Sequence, residues 1–182
     1  MRTRSAVLIA CVVVTVGLVA SVTSNSFHNF VRPSVGLPVR LVIPAIKIDA
    51  PIELVGLTSD GAMDVPKSQG AVAWYDLGPR PGEFGSAVID GHFGVLKNGA
   101  PSVFDDLSAL QPGDSIKVID EAGIEMIFVV GQIRNYDPLA DATDVFNSSD
   151  GKAHLNLITC EGVWNKQTKN YSQRLVVFAE KD

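Results

Sequence analysis

The sequence predicts an all-β domain, a barrel or sandwich of about eight strands, behind an apolar N-terminal segment. Three observations lead there. Beyond residue 37 the apolar residues fall in short runs rich in β-branched side chains. Gly, Pro, Asp and Asn punctuate those runs, as turns require. Only one or two short stretches keep a helical period. Eight runs in about 145 residues favour a sheet that closes or doubles, because closure removes exposed strand edges.

Taken in chain order, Arg2 and Arg4 precede an apolar stretch over residues 6–22. As a helix this spans roughly 25 Å, enough to cross a bilayer with help from its flanks. Arginines before the stretch and none just after it place the N-terminus in the cytoplasm and the remainder outside. Residues 1–24 therefore read as a signal anchor. The competing reading is a cleaved signal peptide, with small residues near Ala20, Ser21 and Ser24; the length of the run favours the anchor. Leu8-Ile9-Ala10-Cys11 has the look of a lipoprotein box, but the apolar run continues well past Cys11. Residues 25–37 are polar, then mixed, and include Pro33 and Gly36, so they read as a tether. Residues 38–182 suit one domain with one core.

Within that domain the predicted strands are 39–43, 46–54, 71–75, 86–90, 115–119, 124–133, 155–160 and 174–180. Turn signals such as Ser59-Asp60-Gly61, Pro79-Arg80-Pro81-Gly82 and Gln111-Pro112-Gly113-Asp114 separate them. A short helix is plausible over 103–110. Two long connections, 137–153 and 161–173, have the length of functional loops. The first holds Val145 and Phe146 and the second Trp164 and Tyr171, apolar side chains suited to lining a groove.

The net charge of −5 comes without a basic cluster in the domain, which argues against a nucleic-acid partner. Three histidines and a single cysteine beyond the N-terminal segment show no metal-ligand spacing, so no metal and no required cofactor is expected.

That cysteine, Cys160, is the most informative residue. The chain has two cysteines, and Cys11 lies in the apolar N-terminal segment, so the exported part carries a thiol with nothing to pair with. One reading is a small buried hydrophobe; the other is a nucleophile, and its surroundings decide. Cys160 ends the run Leu155-Asn156-Leu157-Ile158-Thr159-Cys160, and Arg174 opens the next. If these are successive antiparallel strands, the two residues share one sheet end. His92 follows another run, Val88-Ile89-Asp90, by way of Gly91. A thiolate, an imidazole and a guanidinium at neighbouring strand ends fit attack on a carbonyl, proton transfer to a leaving amine and stabilisation of the oxyanion. Asp90, two residues before His92, points to the same face and reads as either a turn former or an orienting group. His28 and His154 read as bystanders.

The run Leu157-Ile158-Thr159-Cys160, the arginine fourteen positions on and Asp90-Gly91-His92 together resemble the sortase family. So do the opening Leu41-Val42-Ile43-Pro44-Ala45-Ile46-Lys47-Ile48-Asp49-Ala50-Pro51-Ile52 and the segment Gly82-Glu83-Phe84-Gly85-Ser86-Ala87-Val88-Ile89. The resemblance spans residues 37–182 with its motifs in family order. It implies a closed eight-stranded β-barrel and a membrane-anchored, extracellular cysteine transpeptidase of a Gram-positive bacterium. Cys160 would attack the Thr–Gly bond of an LPXTG-like sorting signal. The thioacyl-enzyme would pass to an amine, usually of a cell-wall peptide precursor. By the same resemblance His92 is the acid/base and Arg174 the oxyanion and substrate clamp. Thr159 supports substrate binding beside the nucleophile, and the loops with Val145, Phe146 and Trp164 wall the groove. Asn156 departs from the family pattern, which often has Thr there. The domain resembles the shorter class D to F enzymes more than the pilin-polymerising class. Calcium activation, known in some members, would fall to Asp141 and Asp144. Two alternatives stay open: an endopeptidase that hydrolyses the same signal, and a non-catalytic anchored β-domain that binds wall components. An L,D-transpeptidase is excluded, because its Ser-x-Gly-Cys-type motif is absent.

Overall fold

A computed structural model describes residues 35–95 and 99–182. The apolar segment expected as anchor or signal lies outside the described residues, as does most of the tether. The strands are β1 (Pro38–Ile43), β2 (Ile48–Val55), β3 (Val72–Tyr75), β4 (Gly85–Gly91), β5 (Ser115–Asp120), β6 (Glu125–Tyr136), β7 (Ala153–Asn165) and β8 (Asn170–Lys181). They close into a barrel in the order β1-β2-β3-β4-β7-β8-β6-β5, with β5 returning to β1. Neighbours are antiparallel except β2–β3 and β4–β7, so the barrel is mixed.

Side-chain alternation sorts each strand into an inner and an outer face. β5 reads intermediate–buried throughout, with Ile116 and Val118 in the barrel interior. β4 is different: Ser86 to Ile89 are all buried, because the interior covers one face and a second apolar cluster covers the other. That second cluster lies on Val88 and Val176, and Val145 of a one-turn helix, α1 (Thr143–Phe146), caps it. Asp141 starts this turn by accepting the backbone N–H and the hydroxyl of Thr143.

Every predicted strand is present, but three expectations change. The stretch 103–110 forms only a 3-10 turn, Leu107–Ala109. The connection 137–153 contains α1. The expected loop 161–173 is mostly strand: β7 runs on to Asn165 and β8 begins at Asn170, so a hairpin projects beyond the barrel. Gly162 sits at φ +84° where the register shifts between Glu161 and Trp164, a bulge that needs a residue tolerant of positive φ. Ser172 fills the space beside it, its hydroxyl accepting the Val163 N–H at 3.0 Å.

Candidate active site

The barrel order makes β4, β7 and β8 consecutive neighbours. On β4 and β7 the register ends at Gly91 opposite Thr159, and on β7 and β8 Cys160 stands opposite Arg174. His92 follows Gly91 by one residue. His92, just past the end of β4, thus falls in one cross-strand row with Cys160 and Arg174 within β7 and β8, neighbouring strands lying on the order of 5 Å apart. Inner and outer faces alternate along these strands. Thr159 is 0% exposed and Leu175 4%, both facing inward, while Cys160 and Arg174 are half-buried on the outer face.

One row closer to the barrel's middle, the outer face carries Asp90, Ile158 and Val176 in register. Burial pushes the Asp90 carboxyl up from 3.8 to about 7, although Arg174 and the Gly91 N–H both favour the charged form. Burial also raises the Cys160 thiol above its usual 9.0; Arg174 pulls it down and the negative charge of Asp90 adds to the rise. A neutral thiol is therefore the resting form near neutral pH.

Arg174 is held as a fork: Nη2 donates to Asn170 Oδ1 at 2.7 Å and Nη1 to the Gln173 carbonyl at 3.1 Å. The imidazole of His92 rests on the Pro66 carbonyl, with Nε2 at 2.7 Å from the oxygen. Phe93 stacks edge-on against Tyr171 at 5.2 Å and Tyr171 against Trp164 at 5.1 Å, joining the loop after His92 to the projecting hairpin.

Thr159, expected against substrate, is wholly buried and turned into the barrel. Its hydroxyl donates to the Gly91 carbonyl at 2.7 Å and so ties the strand carrying Cys160 to the strand leading to His92. Val145, expected in the groove wall, is also 0% exposed and packs beneath the surface. Phe146 is half-buried against Tyr75, and Trp164 is 47% exposed. Asn156, 2% exposed, donates to the Val145 carbonyl at 2.6 Å and fastens α1 to β7, which a threonine at this position is too short to reproduce. Asn170 and Pro66 join the site from positions that no motif marked; only the hairpin register and the β2–β3 connection bring them there.

Asp141 is occupied with Thr143, and Asp144 with Arg134 and Tyr136. The structure also brings Asp150, His154 and Glu180 together, with one ligand atom from each within 4.8 Å of the others. There His154 rests on Asp150 and Lys152 on Glu180, so ordinary ion pairs account for the cluster.

A mixed eight-stranded barrel with a histidine, a cysteine and an arginine in one row across three neighbouring strands defines a class, the cysteine transpeptidases of this barrel type. The sortase-domain family model matches residues 41–182, and the chain belongs to the sortase family, cysteine transpeptidases acting on sorting signals. Sortase C-1 from Actinomyces oris is similar at 27% identity, with a TM-score of 0.62 over 79% of this chain and 71% of that one. A lid mutant of sortase A from Corynebacterium diphtheriae is similar at 24% identity, with a TM-score of 0.63 over 80% of this chain and 70% of its own. Sortase C from Clostridium perfringens SM101, also 24% identical, has a TM-score of 0.57 over 81% of this chain and 71% of that one. The last two likenesses speak for the fold. No curated protein matches the chain.

Proposed function

We propose that the domain cleaves an LPXTG-like sorting signal between Thr and Gly and transfers the acyl part to an amine of a cell-wall peptide precursor. The row His92–Cys160–Arg174 carries this reading. Once the sorting peptide is bound, the Cys160 thiol passes its proton to His92 and the sulfur adds to the threonine carbonyl. Arg174, its fork fixed by Asn170, donates to the oxyanion, which needs a planar cation already in place. His92 hands a proton to the departing glycine amine. The thioester that remains on Cys160 then takes an incoming amine, His92 accepts its proton, and the thiol is regenerated.

In this reading Phe146, on α1, and Trp164, on the β7–β8 hairpin, flank the peptide. Thr159 and Val145 support the walls from within. We place the domain outside the cell, held at the membrane by residues 1–24, and read it as a short enzyme of the class D to F kind. The reaction as drawn uses no cofactor. Calcium would act only through the connection that holds Asp141 and Asp144.

Mass spectrometry of the domain with a set of LPXTG-type peptides and an amine tests the reading. An acyl-enzyme on Cys160 and an amide product are expected, and both should vanish in Cys160→Ala. Free acid as the only product, whatever amine is supplied, would replace transfer by hydrolysis. Cleavage that survives Cys160→Ala would remove Cys160 as the nucleophile.

A further inference from the structure

The contact between His92 and Pro66 fixes more than a ring position. A carbonyl oxygen only accepts, so His92 Nε2, 2.7 Å away, carries the hydrogen. In the neutral ring the lone pair is then on Nδ1, and Nδ1 is the atom left to exchange a proton with the sulfur or the leaving amine. The direction and steadiness of the Pro66 carbonyl therefore decide which nitrogen does chemistry.

Pro66 is a buried residue in the otherwise mostly exposed connection between β2 and β3, and its ring already fixes φ. The next two backbone N–H groups both end on one side chain. Lys67 donates to Glu53 Oε2 at 2.9 Å and Ser68 to Glu53 Oε1 at 3.2 Å. Glu53 lies on β2 opposite Ala73, which lies opposite Asp90 on β4, so its carboxylate stands on the same outer face as the candidate site. Two neighbouring amide donors need two acceptor oxygens at a fixed spacing, and an ionised carboxylate supplies both.

We propose that Glu53 is a positioning residue for His92: it clamps the 66–68 segment, aims the Pro66 carbonyl at Nε2 and so sets the ring's orientation and tautomer. The inference deepens the acid/base role assigned to His92 above and rests on it. Glu53→Gln separates this role from simple loop stability. The amide keeps the shape, but it offers one acceptor and turns an NH2 group toward the second N–H, so the clamp opens on one side.

The experiment uses the full-length protein with ¹⁵N-labelled histidine. In the wild type the His92 Nε2-bound proton is expected as a slowly exchanging resonance, assigned by its loss in His92→Ala. In Glu53→Gln the resonance should broaden into solvent exchange, and kcat for peptide cleavage should fall about 10- to 100-fold with KM unchanged. Pro66→Ala keeps the carbonyl and frees φ; it should move both readouts the same way by less, which covers the case of a poorly folding Glu53 variant. An unchanged resonance in Glu53→Gln overturns the proposal, as does a rate loss that only follows lost thermal stability. If the resonance collapses while Glu53→Gln and His92→Ala both cleave at the wild-type rate, the clamp stands. The acid/base reading of His92 then falls, and the catalytic half of this proposal with it.

Discussion

Cys160 and Arg174 face each other directly across the β7–β8 ladder, and Asp90 stands one row behind them on the neighbouring strand β4. Two opposite charges thus act on one sulfur, and each can be removed alone. Arg174 lowers the thiol's pKa while burial and Asp90 raise it. In Arg174→Gln the pH profile of Cys160 alkylation should move to higher pH, and in Asp90→Asn to lower pH. Iodoacetamide labelling followed by mass spectrometry reads both. Profiles that move in the same direction would contradict this arrangement of charges.

The Arg174 fork is used twice, by Asn170 Oδ1 and by the Gln173 carbonyl. A lysine ammonium is a point donor on a flexible stem and does not reproduce both contacts while facing an oxyanion. Arg174→Lys should therefore lower kcat/KM about 100-fold, close to the loss of a preorganised oxyanion donor. Asn170→Ala should cost less, about tenfold, because the charge remains and only its aim is lost. Steady-state cleavage of a fluorogenic sorting peptide measures both. An Arg174→Lys enzyme within twofold of wild type would remove the clamp role.

Thr159 bridges the strands that hold the proposed nucleophile and lead to the acid/base through its bond to the Gly91 carbonyl. Thr159→Val keeps the volume and leaves that buried carbonyl without this partner. It should destabilise the domain by about 1–2 kcal/mol in denaturant unfolding. Activity should fall too, without loss of thiol labelling, because Cys160 keeps its place on β7. Stability equal to wild type would show that the bond contributes nothing net.

Much of this was legible in the chain, for reasons particular residues make plain. Strands facing a core on one side betray themselves by alternation, as in Ser115–Asp120, and β4 by an apolar run bracketed by glycines. Cys160 and Arg174 bound the apolar runs 155–160 and 174–180 and His92 follows another, so chain order alone suggested their meeting. The projecting hairpin was illegible because residues 162–169 are all exposed and bury no face that would impose a pattern. α1 is a single turn, too short for a period to register. Thr159 and Val145 were read on the wrong side, since a one-residue step in a strand reverses inside and outside and a capping turn hides its central residue. Pro66 acts through its carbonyl, which every residue possesses and no motif marks.

Gly91 shows how close the packing behind the site is. A Cβ built on it would strike the ring of Phe104, itself 0% exposed. Gly91→Ala should cost about 1–3 kcal/mol by overpacking and shift His92, the next residue, off the row. Pairing it with Phe104→Leu should recover part of that stability, a coupling that a double-mutant cycle measures. Simple additivity of the two changes would mean that the ring and the glycine do not meet.

Asp90 connects the site to the stability of the whole barrel. Its carboxyl titrates at about 7 in the folded protein, against 3.8 for the ordinary group. The native state therefore binds more protons than the unfolded chain between those values, and stability falls as pH rises from about 4 to about 7. Below that window both states are protonated and nothing is lost; above it the full penalty, about 2–4 kcal/mol, persists. Asp90→Asn removes the penalty, so the variant should be more stable than wild type at pH 8, and its pH–stability curve should lose this fall. Chemical unfolding at pH 4, 6 and 8 decides the matter. Parallel curves for the two proteins would mean that the carboxyl is not buried as described. The site's own carboxylate then costs the fold stability at neutral pH, and Arg174, which Asp90 also attracts, is the group positioned to offset part of that cost.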